Sequence, residues 1–331
     1  MSPHRRRLGL SVDPVPRLTS SRNAAISFFA RRDLLGEDVG PPSALWNLPE
    51  ARAIARRQNR DGSWSYPCGG KPHRRGEHYD QLETFRQLAL LVGKHGATRE
   101  HPAAERAAEF LLSFQSDEGD LRGIYGNQYA TTYVGAITEV LVNAGYAGDR
   151  RVERTFRWLL ATRQRDGGWA IPLRTVGIPF SEFVDLTLHP HPIAPDRSRP
   201  SSHLVTGMAL RAFAAHPRRR RSPEVLRAAG LLATRLYTKD PYGDRGAVAF
   251  WDRVSFPFWF TDIVSALDSL SLLGLGPDNA HIEDALARVK ALQRGDGMFA
   301  FKQLRDSDPD LAEWICLAVC RILSRWSDHR H

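Results

Sequence analysis

Cysteine is nearly missing, with three in a chain of 331 residues. Three thiols cannot build a disulfide framework, and Cys316 and Cys320, one helical turn apart, read as small buried side chains rather than a metal pair. No apolar run is long enough to cross a membrane, and the basic start is not followed by the apolar stretch of a secretory leader. A reducing cytoplasm is the expected setting. Basic residues exceed acidic ones, 46 to 37, but much of the excess lies in Arg5-Arg6-Arg7 and Arg218-Arg219-Arg220-Arg221, which read as solvated tail and loop. No aromatic-interleaved basic stripe accompanies them, which argues against a nucleic-acid partner. With 42% hydrophobic and 25% charged residues, the composition is that of an ordinary soluble globular protein.

What is present is a repeat. Gln58-Asn59-Arg60-Asp61-Gly62-Ser63-Trp64, Gln164-Arg165-Asp166-Gly167-Gly168-Trp169 and Gln293-Arg294-Gly295-Asp296-Gly297-Met298-Phe299 share the order Gln, Asp-Gly, aromatic. Gln115-Ser116-Asp117-Glu118-Gly119-Asp120 is a degenerate copy without the aromatic. Each copy ends one amphipathic helical pattern and precedes another, as in a repeat architecture of helix pairs. Asp-Gly supplies a tight turn and a residue free to take positive φ, the aromatic folds back as an apolar lid, and the Gln amide is suited to open backbone groups at a neighbouring helix end.

The repeated string resembles the QW motif of the prenyltransferase and squalene-cyclase repeat superfamily, and the copies span most of the chain. That resemblance implies an all-α fold, an α/α toroid of about six inner and five to six outer helices, and a terpenoid cyclase-like or prenyltransferase-like protein with an isoprenoid ligand. The Asp-x-Asp-Asp proton donor of squalene-type cyclases is not matched: Asp306-Ser307-Asp308-Pro309-Asp310 differs in order and carries a proline. Nor are the Asp-x-Cys and His zinc ligands of protein prenyltransferases, since Thr261-Asp262-Ile263-Val264 and Glu313-Trp314-Ile315-Cys316 keep only an acid.

Along the chain, residues 1–18 are expected to form a flexible arm, 19–326 one α/α domain and 327–331 a tail. Periodicity predicts helices over 19–33, 49–58, 78–95, 101–115, 129–145, 150–164, 201–216, 223–237, 259–273, 280–293 and 310–325, the first capped by Ser20 or Ser21. The motif-terminated helices carry charge on one side and read as the outer set. Their partners, such as those containing Tyr133-Val134-Gly135-Ala136-Ile137 and Leu204-Val205-Thr206-Gly207-Met208, are apolar nearly all round and read as the inner set. Between 171 and 200 prolines break the rhythm, marking a long insertion of the kind that serves as a lid or rim.

Polar residues near the inner helices' N-terminal ends would face the mouth of a central cavity. Counting back from the helix ends sets Thr84, Tyr133, Val205, Asp262 and Trp314 in one layer, with Asp80, Tyr129, Ser201, Phe258 and Asp310 a turn earlier. The candidate acids are Asp262, flanked by Phe258-Trp259-Phe260, and Asp80 with Glu83; their structural alternatives are helix caps and first-turn acids. Tyr129, Tyr133, His203, Phe258, Trp259, Glu313 and Trp314 are the candidate binding residues, the aromatics suited to an apolar or cationic ligand. His189 and His191 lack the Cys or carboxylate that would complete a zinc set, so neither metal nor cofactor is expected.

Three readings follow. The first is a terpenoid cyclase- or prenyltransferase-like protein that binds or transforms an isoprenoid or other apolar small molecule. The second is a non-catalytic toroid that binds lipid or a protein partner. The third is a carbohydrate-active α/α barrel using a carboxylate pair drawn from Asp80 or Glu83 with Asp262 or Glu313. A peripheral membrane contact through an apolar rim at 256–260 and 171–183 is a further expectation, and the oligomeric state is left open.

Overall fold

Every helical pattern foreseen in the sequence forms a helix in the computed structural model, which describes residues 8–67, 77–242, 247–304 and 308–328. In chain order these are α1 Val15–Thr19, α2 Ala24–Leu35, α3 Pro49–Arg56, α4 Tyr79–His95, α5 Pro102–Leu112, α6 Thr131–Leu141 and α7 Arg150–Ala161. They continue as α8 Pro172–Thr175, α9 Phe183–Leu186, α10 His203–Ala215, α11 Pro223–Ala233, α12 Ile263–Leu272, α13 Ala280–Ala291 and α14 Leu311–Asp328. The fold is all-α, as expected. Its described strands are two residues each, β1 Arg253–Val254 paired in parallel with β2 Lys302–Gln303. Arg5 to Arg7, the 68–72 loop, Asp306, Ser307 and the last residues of the tail lie outside the described residues.

The chain divides into two compact units, Pro42–Ala228 and Met1–Pro41 with Ala229–His331. Within each, helices follow the paired plan of an α/α toroid. In the first unit α4 packs on α5 and on α6, α6 on α7, and α6 most extensively on α10. Gly135 permits that last approach, because a Cβ there would meet Ala209 Cα at 2.9 Å. Helices α6 and α10 are buried almost all round, as their apolar composition requires. In the second unit α14 packs against α2 and α12.

The repeated turns explain why the helices end where they do. At the first, Asn59 N–H donates to the Ser63 carbonyl at 2.8 Å and Asp61 accepts from Ser63 N–H at 3.0 Å. Gly62 sits at φ 88°, and a Cβ there would lie 2.4 Å from the Arg106 carbonyl, so the site admits glycine alone. The buried Trp64 indole donates to the Ile54 carbonyl at 2.9 Å, and Trp169 does the same to Leu159 at 2.7 Å. Each ring thus closes a last-turn carbonyl of the preceding helix. Gln58 and Gln115 donate to the carbonyls of Ala103 and Arg151, both at 2.8 Å, the second residues of α5 and α7.

Turn three departs from the sequence alignment by one residue. The backbone bonds Gln164 N to Gly168 O and Gly167 N to Gln164 O repeat those of Asn59 N to Ser63 O and Gly62 N to Asn59 O. Gln164 therefore stands where Asn59 does, and Arg163 stands where the other turns have Gln. Gln164 reaches the insertion instead, donating to the carbonyls of Asp196 at 2.8 Å and Arg199 at 3.0 Å.

Three further expectations are corrected. The described part of the arm is packed: Leu8, Leu10, Val15 and Leu18 are buried, since α1 offers an apolar face that pairs with α2. Asn23, not Ser20 or Ser21, caps α2, its Oδ1 accepting from Ala25 and Ile26 N–H, while Ser21 turns its hydroxyl to Glu313. The aromatic stretch before α12 is not helical, so this helix begins at Ile263 rather than near 259.

Candidate functional site

In the unit Pro42–Ala228, α4 opens with a dense run of buried polar residues. Asp80 accepts from Tyr66 N–H at 2.7 Å, tying the chain after turn one to the first turn of α4. Glu83, 7% exposed, pairs with Arg86 at 3.3 Å and accepts from the Gln87 amide at 2.5 Å. Thr84 accepts from Trp64 N–H at 3.0 Å, and Thr206 accepts from Trp169 N–H at 2.9 Å. Thr84 and Thr206 are thus equivalent, and the layer that set Thr84 beside Val205 is displaced by one residue. The anchor is the turn's N–H, not the helix end from which the count was made.

Between Asp80 and Glu83 lies Gln81, wholly buried, whose amide oxygen and nitrogen both lack a hydrogen-bond partner. Its oxygen lies against Gly123, where a Cβ would be 2.3 Å away. Thr131 and Thr132, the first residues of α6, are likewise buried at 1% and 2% exposure with unpartnered hydroxyls. Ala130 at the N-cap offers no side-chain bond to this helix end. An orphaned buried polar group costs about 1–3 kcal/mol, so three such side chains at neighbouring helix starts are an expensive feature. Tyr125, next to that turn, meets Tyr133 edge-on at 5.7 Å and Phe183 of the insertion at 5.9 Å. His203, the first residue of α10, is also buried.

The insertion is fastened to the turn before α6. Asn127 N–H donates to the Thr187 carbonyl at 2.9 Å, and the Asn127 amide donates to the carbonyls of His189 at 3.0 Å and Pro190 at 2.7 Å. Gln128 donates to the Leu186 carbonyl at 2.9 Å and accepts from Ile193 N–H at 2.9 Å. The turn 126–129 is thereby a bracket for the insertion. Tyr129 faces away from this: its hydroxyl donates to Glu118 at 2.6 Å, its ring lies under Arg122, and burial with the Glu118 charge pushes the phenol well above its usual pKa.

In the other unit the candidate aromatics make ring contacts with one another. Phe256 stacks on Trp314 at 4.9 Å and meets Phe258 edge-on at 5.6 Å, while Trp259 meets Phe260 at 6.0 Å. Asp262 is buried as the N-cap of α12. Its Oδ1 accepts from Ser265 N–H at 2.8 Å, and the Ser265 hydroxyl accepts from Asp262 N–H at 2.9 Å. Glu313 accepts from the Ser21 hydroxyl and lies 3.6 Å from Arg17; Asp310 accepts from the Asn23 amide at 2.8 Å.

Each candidate acid is therefore engaged in a local bond that shapes backbone or helix start. The structure gathers Asp80, Glu83, Tyr129, Tyr133 and His203 in one unit and Asp262, Phe258, Trp259, Glu313 and Trp314 in the other. Gln81 and Thr131 were missed by sequence reasoning. For Gln81 the signal was a polar residue on a helix face whose neighbours Phe85 and Leu88 are apolar. Among the described residues no group of three His, Cys, Asp or Glu is placed to hold a metal, and no helix is long and apolar enough to cross a membrane.

No protein-family model matches the chain, and no curated protein matches it. Solved structures with a similar outline include a variant of the type II terpene cyclase MstE from Scytonema in complex with geranylgeranyl dihydroxybenzoate. It is 15% identical, covers 95% of this chain and 98% of its own, and superposes with a TM-score of 0.44. A glycosyl hydrolase of family 88 from Bacteroides vulgatus is 13% identical over 92% and 98%, with a TM-score of 0.44. A polysaccharide lyase is 10% identical over 99% and 98%, with a TM-score of 0.45. At these values the likeness decides neither reaction nor substrate.

Proposed function

We propose that the chain binds an apolar, isoprenoid-like small molecule in the unit Pro42–Ala228, at the N-terminal ends of α4 and α6. The observation that carries this reading is the set of buried, unpartnered polar atoms on Gln81, Thr131 and Thr132. They supply donors and acceptors for one polar head group, and Tyr125, Tyr133 and Phe183 supply the apolar wall. The insertion clasped by Asn127 and Gln128 is the cover that such a ligand passes.

Binding is favoured over acid-initiated cyclisation because Asp80, Glu83 and Asp262 each hold a structural hydrogen bond. The test is native mass spectrometry and organic extraction of freshly purified protein, wild type beside Gln81→Leu with Thr132→Val. A terpenoid or other lipid-like molecule in the wild type and its loss in the variant is the expected result. Wild type and variant both empty after incubation with geranylgeraniol, or a co-purifying saccharide, would overturn it.

A further inference from the structure

Turn three differs from the other turns in a way that helix packing does not explain. Arg163 occupies the position held elsewhere by Gln58, Gln115 and Gln293, and its guanidinium donates only to the Leu160 carbonyl within its own turn at 3.1 Å. The insertion brings further arginines to it. Arg197 Nε donates to the Arg163 carbonyl at 2.8 Å, and Arg165 N–H donates to the Arg197 carbonyl at 3.0 Å. Burial, partly offset by the charge of Glu224 and aided by those of Arg227 and Arg197, holds the Arg163 guanidinium below its usual pKa. Asp196 and Glu224 offset part of this charge and leave the arginines in excess. Arg199 stands 3.9 Å from Asp196 and Arg227 stands 3.8 Å from Glu224, with side chains 63% and 67% exposed.

Aliphatic side chains lie beside these arginines. The large exposed hydrophobics among the described residues are Val176, Leu188, Leu226 and Val248. Leu226 adjoins Arg227 in sequence on α11. Val176 follows Thr175, whose hydroxyl accepts from Asp196 N–H at 2.8 Å. Guanidinium groups paired with exposed aliphatic carbons suit lipid phosphates and the acyl edge beneath them. A single-stranded nucleic acid would instead call for exposed rings on which bases stack, and no ring is among those exposed side chains.

We propose that turn three, the insertion around Val176 and 196–199, and the Leu226-Arg227 edge of α11 form a docking face for an anionic membrane surface. This inference stands independently of the ligand site at Gln81. The experiment is co-sedimentation of the full chain with phosphatidylcholine vesicles, with and without phosphatidylglycerol, at low and high salt. The wild type is expected to bind only the anionic vesicles and to be released by salt.

Arg165→Gln with Arg199→Gln and Arg227→Gln should weaken partitioning on the order of a hundredfold, because each removes an exposed charge without touching a backbone bond. Val176→Ser with Leu226→Ser should weaken it on the same vesicles with unchanged salt dependence. Arg52→Gln with Arg56→Gln and Arg60→Gln, an equal charge change elsewhere in the unit, should leave it near wild type. Failure of the wild type to bind anionic vesicles, equal losses in the two arginine triples, or salt-sensitive RNA binding in place of vesicle binding would each overturn the proposal.

Discussion

The side chain of Gln293 closes a two-point bridge on the backbone of Val12: Val12 N–H donates to Oε1 at 3.1 Å, and Nε2 donates to the Val12 carbonyl at 2.9 Å. The equivalent Gln58 and Gln115 reach helix starts, so the N-terminal segment takes the place of a following helix at turn four. Gln293→Leu leaves both Val12 groups half-buried and unpaired, a loss of about 1–3 kcal/mol. A lowered Tm, accompanied by faster amide exchange at 10–14, is the expected outcome. An unchanged Tm would reduce the arm to a passive contact.

Asp262 acts through α12. Removing an Asp cap costs about 0.5–2 kcal/mol, so Asp262→Ala should lower stability by that amount while Asp262→Asn, which keeps the acceptor, stays near wild type. Denaturant titration of both variants separates this from a proton-donor role. A donor would make Asp262→Asn the damaging change for activity at full stability.

The helical order was legible because periodicity, Pro starts and Asp-Gly stops agree at each element. What hid was register. Gln164 is chemically the residue the motif asks for, and only the bond from its own N–H to Gly168 O reveals that Arg163 holds the equivalent place. The site was harder still. Asp80 and Glu83 draw attention as charges, whereas Gln81 between them matters because its partners are missing, and a missing partner is a property of the packed chain. The aromatic run before Asp262 read as helix because it is apolar, yet that helix begins only where the Asp262 side chain meets Ser265 N–H.

Gly126 lets the insertion seat closely on the turn before α6. It lies at φ 57°, and a Cβ would stand 2.3 Å from the Thr187 carbonyl, a backbone atom that cannot swing aside. Gly126→Ala should cost more than ~1 kcal/mol locally and lift the insertion from its bracket. Limited proteolysis should then cut several-fold faster between 186 and 193, with the helices after Ser202 still protected. Equal cleavage of wild type and variant would show that Asn127 and Gln128 hold the insertion without this turn.

Stability should fall on mild acidification. Burial, only partly offset by the charge of Glu50, lowers the pKa of His95 to about 4 from an ordinary 6.5. The unfolded chain therefore takes up this proton first as pH falls. Stability is full above the unfolded value and is lost between roughly 6.5 and 4, by up to about 3 kcal/mol. His101 acts in the same direction, because burial lowers its pKa as well. Melting curves at pH 7.5 and 5 should show a loss in the wild type that His95→Gln reduces. Identical losses in both would assign the effect to other groups.

Gln81, Thr131 and Thr132 make a prediction whose sign separates a binding role from a structural one. Replacing a buried, unpartnered polar group by an apolar one of similar shape is neutral or stabilising, whereas replacing a bonded one costs about 1 kcal/mol or more. Gln81→Leu with Thr132→Val should therefore hold or raise Tm by a few degrees in ligand-free protein. In protein incubated with geranylgeraniol, the ligand-induced rise in Tm seen for the wild type should vanish in the variant. A variant that melts lower without ligand has lost structural bonds, and one that keeps the ligand-induced rise places the ligand elsewhere in the molecule.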